Sequence, residues 1–135
     1  IDNGEGVWCG VDVEKFFSKS KGIMDTNAFN YKDIFGFDNI MSKCDGLHYR
    51  QSGPVHAMMF RGYNFKGNTQ GFLIENSWGK DTGFDGNFFM STDWFNKYCY
   101  QIVVDKKHVS KKILNAYKKK PVLLEYNSPF GALLN

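Results

Sequence analysis

The densest apolar patterning in this chain lies between residues 53 and 79. Val55-His56-Ala57-Met58-Met59-Phe60 and Phe72-Leu73-Ile74-Glu75-Asn76-Ser77-Trp78 are rich in β-branched, aliphatic and aromatic side chains, and a Gly-, Asn- and Lys-rich segment, residues 64–71, separates them. Two such runs around such a segment predict an antiparallel hairpin. Upstream, residues 6–11 predict a buried strand. Asp12 is placed to cap a short helix whose apolar face is Val13, Phe16 and Phe17, and the Lys, Ser and Gly of residues 18–22 end it. Residues 23–36 are irregular, with Asp25, Asn27, Asn30 and Asp33 marking turns and one helical turn over 31–35. A second short helix is predicted over 38–44, capped by Asp38 and stopped near Gly46, with an edge segment over 47–51 leading into the hairpin.

Beyond Gly79 the pattern predicts a loop over 80–86 and a strand over 87–90. A short helix follows, capped by Ser91 or Thr92 and carrying Trp94, Phe95 and Tyr98, then a strongly β-branched strand over 100–104. Ser110 opens the clearest helical pattern, with Ile113, Leu114 and Tyr117 apolar and Pro121 as its stop. Residues 122–124 read as a short extended piece and 127–135 as a tail of small and apolar residues. The sum is an α+β domain, several antiparallel strands with short peripheral helices.

Composition narrows the function classes. At 135 residues the chain is one domain's worth and buries roughly two-thirds of its unfolded surface. Aromatic residues make up 17%, which favours a packed core over disorder. The chain begins at Ile1 without an initiator Met, so it is read as a piece of a longer polypeptide. It shows no signal peptide, and no run reaches the ~18 apolar residues of a membrane span. Cys9, Cys44 and Cys99 are odd in number and widely spaced, which argues against a disulfide framework and for a reducing, cytoplasmic compartment. No CxxC or His/Cys cluster points to a metal, and nothing calls for a cofactor. Net charge is +3 and the only basic run is Lys118-Lys119-Lys120. Without interleaved aromatics this reads as a solvated helix end, not a nucleic-acid site.

The chemistry-bearing candidates are His56 and Asn76. If the hairpin strands pair antiparallel, the two can face each other near one end. An amide oxygen that accepts one ring N–H fixes the tautomer and leaves the other nitrogen as a base. An amide does this without adding a third charge beside an imidazolium and a thiolate. Trp78, two residues on, can shield the bond from water. The plain alternatives are a strand histidine satisfied by a carbonyl, a turn asparagine and a core tryptophan. Cys9 and Cys99, inside apolar runs, read as buried and inert. Cys44 lacks the flanking Gly and Trp and the following long helix of an activated thiol. His48 and His108 read as surface residues.

Val55-His56-Ala57-Met58 and Glu75-Asn76-Ser77-Trp78-Gly79 resemble the His and Asn motifs of papain-like cysteine peptidases. Residues 7–13 (VWCGVDV), 99–109 (CYQIVVDKKHV) and 129–134 (PFGALL) narrow the resemblance to the bleomycin hydrolase and aminopeptidase C family. It extends over essentially the whole chain. It implies the papain-like fold, with this chain as the antiparallel β-barrel half. By resemblance His56 is the base and ion-pair partner of a cysteine, Asn76 orients it, and Trp78 covers their contact and borders the leaving-group side of the cleft. Ala57 lines the pocket for the substrate's second residue. The family's nucleophile lies in a Gln…Gly-x-Cys-Trp motif, and none occurs here. Residues 1–135 are therefore expected to be the C-terminal part of the peptidase, inert alone, with an N-terminal half of the same polypeptide supplying the cysteine. The resemblance further implies peptide substrates, a homohexamer, and a C-terminal arm over 127–135. In the family the arm's terminal carboxylate receives the substrate's free amine, which restricts cleavage to amino-terminal residues. Gly131, Ala132 and Leu133 fit that arm, whereas Leu134 and Asn135 extend past the family pattern, raising the expectation that Asn135 is trimmed. Two rivals remain: a pseudo-peptidase binding module whose upstream cysteine is replaced, and another Cys-His acyl transferase on a related scaffold.

Overall fold

The computed structural model describes residues 1–37, 41–125 and 127–128. Its strands are β1 (Val7–Val11), β2 (Phe17–Ser18), β3 (Ile23–Met24), β4 (His56–Asn64), β5 (Gly71–Glu75), β6 (Asn87–Ser91) and β7 (Cys99–Val103). They form one seven-stranded sheet in the order β2-β3-β6-β5-β4-β1-β7. The ladder is open, since β2 and β7 lie at opposite ends of that order. It is also mixed: β3 runs parallel to β6 while every other pair is antiparallel. The antiparallel barrel half implied by the resemblance is thus seen in this chain as an open sheet with one parallel junction, made where the short β3 docks on β6.

The period-2 pattern sets which face is buried. Phe60 pairs with Ile74, and Ile74 with Phe88, placing three core side chains in one row across β4, β5 and β6. Cys9 and Met58 are opposed in the same way between β1 and β4. Trp94 completes the core from α3 (Thr92–Tyr98), where Ser91 Oγ caps the helix by accepting the Trp94 N–H at 3.2 Å. The Trp94 indole N–H donates to the Lys15 carbonyl at 2.7 Å, so the one polar atom of this buried ring is satisfied. On the opposite face Trp8 is 53% exposed, beside Val103 in the next strand, and Leu73 is also exposed.

The remaining helices are short. α1 (Tyr31–Phe35) occupies the predicted helical turn, capped by Asn30. α2 (Lys43–His48) starts later than expected, because Ser42 Oγ takes the Asp45 N–H and serves as the cap. The proposed cap, Asp38, lies outside the described residues. Residues 47–51 are the end of α2 and its following turn, not an edge segment, since Gly46 O receives the N–H groups of Gln51 and Ser52. No helix follows Asp12: residues 12–16 turn and lead directly into β2, with Phe16 at φ +47°. Val13, Phe16 and Phe17 are apolar because all three pack on the core, Phe16 by stacking on Tyr98. α4 (Lys111–Tyr117), capped by Ser110, has the clearest helical pattern in the sequence yet buries none of its residues. Residues 122–124 form no strand and are exposed.

Trp94→Ala is expected to lower unfolding stability by about 3–5 kcal/mol, as a large aromatic lost from a core does. Leu123→Ala, at an exposed position, should change it by no more than about 0.5 kcal/mol. Equilibrium denaturant unfolding of the two variants distinguishes them, and equal effects would contradict this placement of the core.

Candidate active site

The antiparallel pairing of β4 with β5 brings the first residue of β4, His56, beside Asn76, which directly follows β5. Each has its own backbone anchor. His56 is opposite Val11 in the β1–β4 ladder, and the Val55 N–H donates to Val11 O at 2.9 Å. The Asn76 N–H donates to Gly86 O at 3.1 Å. That second anchor needs the loop after Gly79 to fold back tightly. Gly83 permits this at φ +61°, where a Cβ would sit 2.4 Å from the Asn87 carbonyl oxygen.

The side chains of His56 and Asn76 meet, with Nε2 2.8 Å from Asn76 Oδ1. Oδ1 also accepts the Ser77 N–H at 2.7 Å. A backbone N–H can only donate, so it identifies the atom at that position as the amide oxygen and excludes the flipped amide. The oxygen therefore faces Nε2, which carries a proton in either charge state of the ring, and in the neutral ring Nδ1 is the bare nitrogen. Nδ1 has no hydrogen-bond partner among the described residues. Asn76 Nδ2 is buried without a partner there as well, a desolvation cost of about 1–3 kcal/mol accepted in this orientation.

Trp78 lies against the imidazole, ring centroids 4.9 Å apart and planes at 34°. It is 37% exposed, held by Phe17 and Phe88 on one side and with the Lys19 ammonium 4.8 Å from its ring centroid. His56 is half-buried, whereas Ala57, the next residue of β4 and opposite Gly10, is exposed. A separate cavity of about 240 Å³, with Ser52, Tyr98 and Tyr100 in its wall, does not include His56 or Asn76. Residues Gly131, Ala132, Leu133, Leu134 and Asn135, the expected arm, lie outside the described residues.

The cysteines are placed elsewhere. Cys9 and Cys99 are buried; the adjoining Cys99 thiol and burial push the Cys9 thiol far above its ordinary range, so it stays protonated. Cys44 is exposed on α2 with its Sγ 3.6 Å from His48 Nδ1, which also lies 3.2 Å from the Cys44 carbonyl oxygen. That contact follows from i,i+4 spacing on one helix face. His108 is exposed and pairs with Glu5, whose carboxyl is held below its usual range by Lys107 first and then His108. Among the described residues no group of three or more His, Cys, Asp or Glu is placed to hold a metal ion, and no helix is long and apolar enough to cross a membrane.

The sequence reading missed a polar cluster next to this site. Asp12 is buried and its Oδ2 accepts the Ser52 hydroxyl at 2.6 Å, while Ser52 Oγ lies 2.7 Å from the Tyr100 hydroxyl. Its signal in the sequence is a lone carboxylate directly after a buried strand, a pattern that a helix cap shares.

Comparison with known proteins places these features in context. The model of the Peptidase C1-like family matches residues 1–131. An aminopeptidase C of Listeria monocytogenes is 39% identical over 134 residues, and the bleomycin hydrolase of Mus musculus is 38% identical over 138 residues. In both, the match covers 98% of this chain and 30% of the relative. Among solved structures, PepW from Lactobacillus rhamnosis HN001 superposes with a TM-score of 0.85 at 36% identity, again over 98% of this chain and 30% of the other. The chain thus spans about a third of the length of these relatives.

Asn76→Ala removes the acceptor that selects the ring proton. Long-range ¹H–¹⁵N spectra of His56 are expected to change from one Nε2–H tautomer to a mixture. An unchanged spectrum would mean that another group sets the tautomer.

Proposed function

The chain belongs to the peptidase C1-like family, and from that premise we propose that it is the base-bearing, C-terminal part of a cysteine aminopeptidase. The observation that carries the reading is the His56–Asn76 contact, which holds Nε2 protonated and leaves Nδ1 without a hydrogen-bond partner among the described residues. The nucleophile is a cysteine from a part of the polypeptide outside residues 1–135. His56 Nδ1 takes the thiol proton, which brings a thiol of ordinary pKa ~8.5 into its thiolate form at neutral pH. The thiolate sulfur attacks the carbonyl carbon of the first peptide bond. As the C–N bond breaks, imidazolium His56 returns the proton to the departing amine. Water then gives a proton to His56 and adds to the thioester carbonyl carbon. As the C–S bond breaks, the acid is released and the thiolate is left beside imidazolium His56, which can return the proton to it.

Asn76 keeps the ring aimed through both protonation states, because its oxygen accepts from Nε2–H in each. Trp78 limits water access to that bond and borders the leaving-group side, while Ala57 lines the pocket for the substrate's second residue. The apolar sheet face carrying Trp8, Leu73 and Val103 is the seat for the rest of the polypeptide. In the assembled protein, a cytoplasmic homohexamer by this reading, residues 127–135 form the arm that receives the substrate's amino terminus.

The 135-residue chain alone is expected to show no peptidase activity, because a base without nucleophile and oxyanion donors retains little rate enhancement. The full-length polypeptide should cleave amino-terminal residues, be labelled by a thiol-reactive epoxide, and lose about 10³-fold or more in kcat on His56→Ala. Absence of epoxide labelling and of activity would favour the binding-module reading. Deleting residues 131–135 should reduce aminopeptidase activity and raise endopeptidase activity, measured on free and amino-blocked peptides. Unchanged ratios would remove the arm from the reading. Mass spectrometry of the full-length product should show a chain ending at Leu134, and an intact Asn135 would rule out the trimming.

A further inference from the structure

Asp12 is the one buried charged residue among the described residues, 2% exposed. A carboxylate taken out of water needs donors, or it is strongly disfavoured. Oδ1 accepts the Glu14 N–H at 3.2 Å and Oδ2 accepts the Ser52 hydroxyl at 2.6 Å. With the Ser52 proton spent on Asp12, the Tyr100 hydroxyl is the donor in its 2.7 Å contact with Ser52 Oγ. Burial, foremost, holds the Tyr100 phenol above its usual range, so it remains a donor at neutral pH. No cation pairs with Asp12 among the described residues. The carboxylate is held by directed hydrogen bonds from neutral groups.

Those bonds lead to His56. The segment between α2 and β4 has no regular structure over residues 50–55 apart from its turn. It meets the end of β1 at two consecutive residues: Ser52 bonds to Asp12, and the Val55 N–H bonds to Val11 O at 2.9 Å. Gly53 and Pro54, between the two attachments, donate no backbone hydrogen bond among the described residues. Val11 is in turn the residue opposite His56 in the β1–β4 ladder. Asn76 fixes the rotation of the imidazole, but the path of residues 52–55 fixes where its Cα starts.

We propose that Asp12 and Ser52 form a positioning pair for His56: their hydrogen bond, braced by Tyr100, sets the approach of residues 52–55 to β4 and hence the direction in which Nδ1 faces. The pair touches neither substrate nor nucleophile and acts only through His56. This rests on reading His56 as the base. A displacement of ~1 Å at such a group costs up to about 10²-fold in rate, which sets the scale of the effect.

The test uses the full-length polypeptide, selectively ¹⁵N-labelled at histidine. Ser52→Ala is expected to lower kcat by about 10- to 100-fold with KM within about twofold, and to broaden or mix the single Nε2–H tautomer of His56. Ser52→Thr keeps the hydroxyl and should restore kcat to within about threefold of wild type. A Ser52→Ala protein that melts at lower temperature yet keeps wild-type kcat and the His56 spectrum would overturn the proposal, leaving the bond a stabilising contact only. Where Ser52→Ala does not fold, Asp12→Ala takes its place. It removes the acceptor to which Ser52 donates, and an unchanged kcat and spectrum there would equally overturn the proposal. A wild-type protein without peptidase activity would defeat the functional reading, while the His56 spectra would still decide whether the pair positions the ring.

Discussion

An imidazole that is to act as a base must present one bare nitrogen in one direction, and here both conditions depend on a single 2.8 Å hydrogen bond to Asn76 Oδ1. Twenty residues separate the two partners in sequence. They meet because β4 and β5 pair antiparallel, and because the register between Met59 and Glu75 holds from the bulge near Arg61 to the end of β5. A one-residue slip would send one partner to the other face of the sheet. The core rows that set the register, Phe60-Ile74-Phe88 above all, are therefore also what aims the His56 ring.

The surroundings favour one amide orientation at some cost elsewhere. The Ser77 N–H shares Oδ1 with His56, and Nδ2 is left buried and unpaired among the described residues. Trp78 closes one side of the contact and is itself wedged by Phe17, from the short β2, and Phe88, from the core. The peripheral β2 and the central β6 thus converge on the same imidazole. Cys9 and Cys99 are buried, and Cys44 is exposed on α2 apart from this arrangement.

Much of the sheet was legible in the residues. The hairpin, the strands at 87–91 and 99–103, and the Ser91- and Ser110-capped helices all carry local signals: period-2 alternation, a capping hydroxyl, a Pro or Gly stop. The errors share one cause. Val13, Phe16 and Phe17 have helical spacing but are apolar because an irregular turn packs all three on the core, and Asp12 has cap chemistry but its carboxylate accepts from Ser52, 40 residues away. β3 is two residues long and owes its existence to parallel pairing with β6, which local sequence does not encode. α4 shows the converse: its helical pattern is strong, yet nothing among the described residues covers its apolar stripe.

The residue types available for chemistry are legible without coordinates: a histidine and an asparagine near the ends of two apolar runs, a tryptophan two residues past the asparagine, and no cysteine in a context that would activate it. These follow from side-chain identity and short-range pattern. That the ring and the amide touch, that Nε2 is the nitrogen facing the amide oxygen, and that the buried Asp12 carboxylate accepts from Ser52 are set by the fold. Those outcomes depend on strand register and on contacts between residues far apart in the chain, where the energy lies in geometry and not in composition.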